Sequence, residues 1–434
     1  MQVPKVGSYA GGPGRLARLG VLAATVGLVV GAPAMVALTA TASGAATSGT
    51  GNPSTTQVAA DGFPSEQLIT YAPGFDGAVQ EAFTDFTTGT SGKIEWSTES
   101  SNGSWSAWSE IGTTGASLEE TETITWAPGS NGSTQEIFFN TCHYAVVKVA
   151  FQTKGVWSTW ISMGGDNFYY SIGGPTYAPG SNGSVQELFD VDFTTATYGH
   201  GNGGVLYTDY ENPGGTWSGW SAALDQTMHF SLNTKVLYSP GTSGSLQELF
   251  AYNTTGVYAT WENPGGSWHS WVSFSTKTYG YPTTGESLTY APGSNGSVQQ
   301  LFLDTHGTLV AKWENPNGTW SAWTPINGDE LDSVVTYAPG SNGSTEEIFG
   351  VSSTGTAEVT WSVHGAWSAW TSLGKATGTT FGPSVTYAPG SNGSVQELFA
   401  RGATTPATPY TVTGTVFVAW ENPGGSWSGW VPLG

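Results

Sequence analysis

The chain has 434 residues and a formal net charge of −21, with 10% charged residues against 13% aromatic, 62 Gly and 20 Trp. The aromatics supply too much apolar surface for a disordered chain, and the acidic balance argues against nucleic acid and anionic membrane surfaces as partners. Cys142 is the single cysteine, so no internal disulfide forms and packing alone must hold the fold.

At the N-terminus, Lys5, Arg15 and Arg18 precede an apolar stretch from Leu19 to Leu38, and Ala40-Thr41-Ala42 suits a cleavage site. Residues 1–42 therefore read as a secretion signal. A retained anchor is the rival reading, since the stretch is about long enough to span a bilayer. Its Gly and Pro content and the small-residue ending favour cleavage. Residues 43–64, rich in Ser, Thr, Gly and Ala, form a leader. Signal removal leaves eight cations against 32 acids, a net charge of −24. The mature protein is expected to be secreted and extracellular, with no membrane partner.

From residue 65 to 434 the chain repeats itself. A segment of the type Thr-Tyr-Ala-Pro-Gly-Ser-Asn-Gly-Ser-Val-Gln-Glu-Leu-Phe begins near Tyr71, Trp126, Tyr177, Tyr238, Tyr290, Tyr337 and Tyr387. Each is followed by a closing Trp-x-x-Trp: Trp105/Trp108, Trp157/Trp160, Trp217/Trp220, Trp268/Trp271, Trp320/Trp323, Trp367/Trp370 and Trp427/Trp430. The starts lie 55, 51, 61, 52, 47 and 50 residues apart. Self-similarity at such a period marks a solenoid or a propeller, because units this short bury too little surface to fold singly.

Repeat four is the easiest to read. It predicts strands over Val236 to Pro240, Ser245 to Phe250, Val257 to Glu262 and Trp268 to Ser273. Asn-Gly in the first turn of most repeats tolerates the positive φ of a type I′ turn, and Asn-Pro-Gly-Gly (212–215, 263–266, 422–425) reverses the chain again. Val257, Ala259 and Trp261 alternate with Tyr258 and Thr260, so both faces of the strand carry apolar groups and the sheet is sandwiched. The expected fold is an all-β, seven-bladed β-propeller of four-stranded antiparallel blades. The repeat allows blades cut at the first strand or at the second; in the second case residues near Gln67 to Tyr71 complete blade seven. An extended Trp-x-x-Trp is expected to send its indoles to opposite faces, one towards each neighbouring blade.

The pairing of Asn392-Gly-Ser-Val-Gln-Glu-Leu-Phe399 and Ala400-Arg401-Gly402 with the closing Asn422-Pro-Gly-Gly-Ser-Trp-Ser-Gly-Trp-Val-Pro-Leu-Gly434 resembles the repeat of the PLL-type bacterial lectins. Those are seven-bladed propellers whose units join a G-x-x-E-x-F strand to a G-x-W-S-x-W closing strand. The resemblance covers all seven repeats, 67–434. It implies binding of fucose-type or O-methylated sugars between blades. Trp-Glu-Asn (261–263, 313–315, 420–422) stands where Gln usually follows the strand Trp in that family, and Arg is nearly absent here.

Two polar positions recur. The second strand carries Glu81, Glu136, Glu187, Glu248, Glu347 and Glu397, with Gln300 in repeat five. A carboxylate among apolar neighbours must be hydrogen-bonded. It reads either as an inter-blade tie, with backbone and indole N–H donors expected, or as a sugar contact. The second position is Glu211-Asn212, Glu262-Asn263, Glu314-Asn315 and Glu421-Asn422, replaced in repeats one, two and six, for example by Ser97-Thr98 and Ser362-Val363. An acid and an amide suit adjacent sugar hydroxyls beside an indole face, so these pairs with Trp217, Trp268, Trp320 and Trp427 are the candidate sugar-binding residues. The competing reading has Asn initiating the turn.

Other chemistry is poorly supported. His143, His200, His229, His269, His306 and His364 lack metal-ligand spacing, so no metal or cofactor is expected. Asn-Pro-Gly-Gly-Ser-Trp resembles the Asp-box turn of sialidases, but the mature chain has one Arg, not the three those enzymes need. Asn-Gly-Ser triplets such as 131–133 match a glycosylation pattern but are better explained by their hairpins. The sequence predicts a secreted, non-enzymatic protein that binds glycans multivalently. The alternatives are a glycoside hydrolase or lyase on the same scaffold, which requires two placed carboxyls, and an extracellular protein-binding scaffold.

Overall fold

In the computed structural model the described residues are 69–88, 91–112, 123–141, 146–164, 174–192, 204–222, 230, 235–253, 256–274, 288–305, 308–328, 331, 334–403 and 412–433. The expected signal and leader lie outside them, as do Cys142, His143, His200, His229 and His306.

Seven antiparallel sheets follow one another along the chain, each built from one repeat in the order first, second, third, fourth strand. Blade one comprises Thr70–Pro73, Gln80–Thr88, Ser91–Glu99 and Ser109–Glu110. Blade four comprises Lys235–Pro240, Gln247–Asn253, Gly256–Glu262 and Val272–Phe274. Blade seven comprises Thr380–Pro389, Gln396–Ala403, Val412–Glu421 and Val431–Pro432. The blade is therefore cut as the repeat is cut, and the ring closes without strand exchange. No helix occurs among the described residues.

First strands of successive blades lie side by side and form the inner wall. On all but blade four, a threonine hydroxyl donates to a carbonyl in or just before the next first strand: Thr70 to Ile124 (2.6 Å), Thr176 to Val236 (2.8 Å), Thr336 to Val385 (2.6 Å), with Thr125 to Pro175 and Thr289 to Val335 alike. Thr386 donates to Ile69 at 2.5 Å and closes the circle. Blade four has Leu237 here, which packs against the cluster of Phe250 and Leu301 instead.

The first turn is of type I′. Asn131 and Gly132 have φ of 45° and 101°, and Ser133 N–H donates to Ser130 O. Just ahead of it, a Cβ on Gly129 would sit 2.3 Å from the Ser133 carbonyl, so only glycine fits.

The fourth strand differs from the single run expected over Trp268 to Ser273. Trp268 pairs with Glu262, whereas Val272 pairs with Ala259, so one extra residue lies between. The same slip separates Trp217↔Glu211 from Ser221↔Thr208, and Trp427↔Glu421 from Val431↔Val418. This is a β-bulge, and it reverses the expected fate of the two indoles. With one residue added, both tryptophans of a pair face the same way and pack on the preceding blade. Trp105 and Trp108 join the cluster of Phe399 and Val416, and Trp268 and Trp271 join that of Phe189 and Leu206.

The first indole of each pair meets a second-strand Phe edge-on: Trp157 on Phe83 (5.8 Å), Trp217 on Phe138 (5.9 Å), Trp427 on Phe349 (5.8 Å) and, at the closure, Trp105 on Phe399 (5.5 Å). In four blades the second indole's N–H donates to a carbonyl in or just after the preceding blade's fourth strand: Trp160 to Ile111, Trp323 to Phe274, Trp430 to Leu373 and Trp108 to Leu433, at 3.0–3.2 Å.

Candidate functional site

The two recurrent acids meet at the seams between blades. At the seam of blades two and three, Glu136 Oε1 accepts from the Ser130 and Ser133 hydroxyls (3.1 and 2.7 Å) and from Ser130 N–H (3.3 Å). Its Oε2 accepts from the Gln186 amide of blade three at 2.8 Å. That amide also donates to Glu211 Oε2 at 2.9 Å, and Glu211 Oε1 accepts from Asn131 of blade two at 2.7 Å. One buried Glu–Gln–Glu bridge thus joins two blades.

It recurs as Glu187–Gln247–Glu262, Glu248–Gln299–Glu314 and Glu347–Gln396–Glu421. At the closure Gln80 donates to Glu397 (2.6 Å), while Glu99 accepts from Asn392 and Ser391 of blade seven (2.9 and 2.7 Å). Between blades five and six the roles swap: Gln300 donates to Glu346 at 2.7 Å. The second-strand acid is an inter-blade tie, as one reading had it. Its side-chain donors are hydroxyls and a glutamine amide, not indoles; Trp108, Trp160, Trp323 and Trp430 donate to backbone carbonyls, and Trp126 donates to Gln135 Oε1.

Register changes the count of the third-strand acid. Gln80 pairs with Glu99 as Gln186 pairs with Glu211, so repeat one carries Glu99-Ser100 at this position, not Ser97-Thr98. The alignment on Trp96 misleads because Trp96 lies opposite Phe83, two residues short of where Trp420 lies opposite Glu397.

Blade one also lacks the serines of the first turn. Phe75 and Ala78 stand there, and only Phe75 N–H reaches Glu81 Oε1, at 3.3 Å. Burial then outweighs the Gln135 and Phe75 hydrogen bonds and pushes the Glu81 carboxyl up to about 7. Burial likewise raises Glu262, against hydrogen bonds from Ser181, Gln247 and Asn182.

The expected Glu, Asn and Trp of one repeat do not share a cleft. Neighbouring residues of a strand face opposite ways. Glu421 and Trp427 face blade six, where Glu421 meets Asn342 (2.7 Å) and Trp427 meets Phe349. Asn422 faces the cleft between blades seven and one. The other pairs make equivalent bonds: Glu262 accepts from Asn182 (2.6 Å) and Glu314 from Ser243 (3.0 Å). Each Asn also closes its own turn, with Asn212 donating to Thr216 O, Asn263 to Ser267 O, Asn315 to Thr319 O and Asn422 to Ser426 O at 2.9–3.1 Å. Trp217, Trp268 and Trp320 sit on Phe138, Phe189 and Phe250.

The cleft between blades seven and one has a volume of about 630 Å³. Two partly exposed indoles line it, Trp105 from blade one and Trp420 from blade seven. Val418, Val431, Pro432 and Leu433 supply apolar surface, and Asn392, Asn422, Ser394 and Glu99 supply polar groups. No Lys, Arg or His is among its lining residues. Such a cleft suits an uncharged ligand with both C–H and hydroxyl surface. Sequence reasoning had Trp105 among the closing pairs and Trp420 in Trp-Glu-Asn, but gave neither a site. Only the bulge and the register bring them together.

Among the described residues, no group of three His, Cys, Asp or Glu is placed to hold a metal ion. No protein-family model matches the chain. A β/α-amylase of Paenibacillus polymyxa is 27% identical over 154 residues, 32% of this chain and 12% of that protein; the chain thus spans a small part of that relative. Among solved structures, the BP39L lectin of Burkholderia pseudomallei has a TM-score of 0.63 at 16% identity, covering 86% of this chain and all of that one. The fucose-specific lectin of Aleuria aurantia has a TM-score of 0.42 at 15% identity, covering 73% of this chain and all of that one. The likeness to the Burkholderia lectin bears on the fold, and by that fold the chain is a seven-bladed β-propeller.

Proposed function

We propose that this chain is an exported carbohydrate-binding protein, without enzymatic activity, that holds neutral sugars in the clefts between its blades. The observation that carries the reading is the cleft between blades seven and one, where Trp105 and Trp420 flank an apolar wall with amides and hydroxyls at hand. Indole faces take the C–H surface of a sugar ring, and the amides and hydroxyls pair with its hydroxyls. The apolar Val418 and Leu433 favour a deoxy or O-methylated sugar of the fucose type, whose methyl group needs no hydrogen bond. With Glu99 nearby and no cation in the lining, an anionic sugar is disfavoured. That the Burkholderia structure is a lectin supports the same reading. Related clefts around one rigid ring give avidity for a polysaccharide or a cell-surface glycan.

A glycan array with the full chain tests this. Fucosylated or O-methylated neutral glycans should light up, sialylated ones should not, and Trp420→Ala should weaken monosaccharide binding about tenfold. Silence across the array, or release of reducing sugar from a bound glycan, overturns the proposal.

A further inference from the structure

If the inter-blade clefts are sugar sites, on which this inference rests, they are not equivalent. We infer that the cleft between blades four and five is plugged by the chain's own rings, Phe274 and His269, although both indoles and the seam acid of the open cleft have counterparts there. Trp320 and Trp261 stand there where Trp105 and Trp420 stand in the open cleft, as shared register shows: Trp320 pairs with Glu314 as Trp105 pairs with Glu99, and Trp261 lies opposite Glu248 as Trp420 lies opposite Glu397. Glu314 is held by Thr242 and Ser243 of blade four (2.7 and 3.0 Å) as Glu99 is held by Ser391 and Asn392.

Both indole faces are nevertheless engaged. Phe274 lies 4.9 Å from Trp320, in addition to the Phe250 contact that every closing indole has in kind. It occupies the place of Leu433, because Phe274 O accepts from Trp323 Nε1 as Leu433 O accepts from Trp108 Nε1. His269 stacks on Trp261 at 3.9 Å and 16°, and its Nδ1 is held 2.7 Å from Ser270 O. The six other blades have serine at that position: Ser106, Ser158, Ser218, Ser321, Ser368 and Ser428.

The same signature marks the cleft between blades one and two. There Trp157 has a second ring partner, Trp96, at 5.9 Å. Trp96 stands at the position of Val418, as both lie opposite the second-strand Phe. That cleft also has Thr98 in place of the Trp420 indole and Gln152 in place of Glu99, so it has lost the chemistry along with the space.

The test is a gain of a site. Phe274→Leu with His269→Ser gives blade four the residues of blade seven at the two plugging positions, and calorimetric titration with methyl α-L-fucoside should show one more site per chain than the parent. In crystals of the parent soaked with the same sugar, density should occupy the cleft of blades seven and one and be absent from that of blades four and five. A correctly folded double variant whose site count does not rise overturns the inference, as does sugar density between blades four and five in the parent. A parent silent towards this fucoside and across the glycan array overturns the carbohydrate reading itself, which is a distinct result.

Discussion

Glu81 shows how one side chain sets the pH response of a seam. Its folded pKa of about 7 lies above the ordinary 4.5, so between those values the folded state holds a proton that the unfolded chain releases. The contribution of Glu81 to stability is greatest below pH 4.5 and falls as pH rises towards 7. Glu81→Gln keeps an acceptor for the Gln135 amide without a buried charge. It should therefore stabilise the protein at pH 8 by about 1–3 kcal/mol and leave it unchanged near pH 4. Thermal melts of both proteins at the two pH values check this, and a gain equal at both would refute it. Trp268 is the second residue to probe. Its edge-on packing against Phe189 makes it part of the contact between blades three and four, so Trp268→Ala should cost about 3–5 kcal/mol in urea unfolding. A variant that keeps its stability and loses only sugar binding would show the indole to be purely a platform.

At the scale of the strand, the bulge inside Trp-x-x-Trp is the feature that organises each blade. It leaves a third-strand N–H facing a side chain in place of a ladder partner, and the serine after the first Trp accepts it. Ser158 Oγ accepts from Phe151 N–H at 3.1 Å and donates to Thr159 O at 2.9 Å; Ser428 Oγ accepts from Trp420 N–H at 2.9 Å. Ser158→Ala removes that acceptor and should cost about 1–2 kcal/mol in denaturant unfolding, with the extra residue and the fold retained. No loss of stability would mean that solvent serves Phe151 equally well. The third-strand residue just before Trp261, Trp361 or Tyr210 has its own solutions: Thr260 and Thr360 donate to the His269 and Ser368 carbonyls, while buried Asp209 instead accepts from Ser218 and Gly219. Burial raises the Asp209 carboxyl against those bonds.

At the scale of the ring, closure is the vulnerable step, because blades one and seven are the two ends of the chain. Beyond Thr386, Gln80 and Asn392, a buried ion pair crosses this seam. Arg401 Nη1 donates to Asp85 Oδ1 at 3.0 Å and to Asp85 O at 2.9 Å, and its guanidinium lies 5.4 Å from the Phe86 ring centre. Truncating one partner of a buried pair strands the other charge in low dielectric. Arg401→Ala should therefore cost about 3–5 kcal/mol, read as a lowered melting temperature, and more than the same truncation of an exposed Lys such as Lys93. Equal losses would mean that packing alone closes the ring. The same seam forms the open cleft, so Arg401→Ala should weaken sugar binding there even though Arg401 does not line it.

The sequence by itself determined the architecture. Repeat count, strand order, Asn-Gly and Pro-Gly-Gly turns and two-faced apolar strands are local or periodic signals. It also located the tryptophans and the recurrent acids, and posed the choice between tie and contact for each acid. What it left open depends on register and on a neighbouring blade. A one-residue bulge put both indoles of a pair on one face, and a longer strand moved the repeat-one acid from Ser97-Thr98 to Glu99. Strand alternation divided Glu421 from Asn422. Those outcomes belong to the tertiary structure because each seam is made by residues about 50 to 80 positions apart, or some 300 at the closure, and the partner of a side chain there is fixed by the ring.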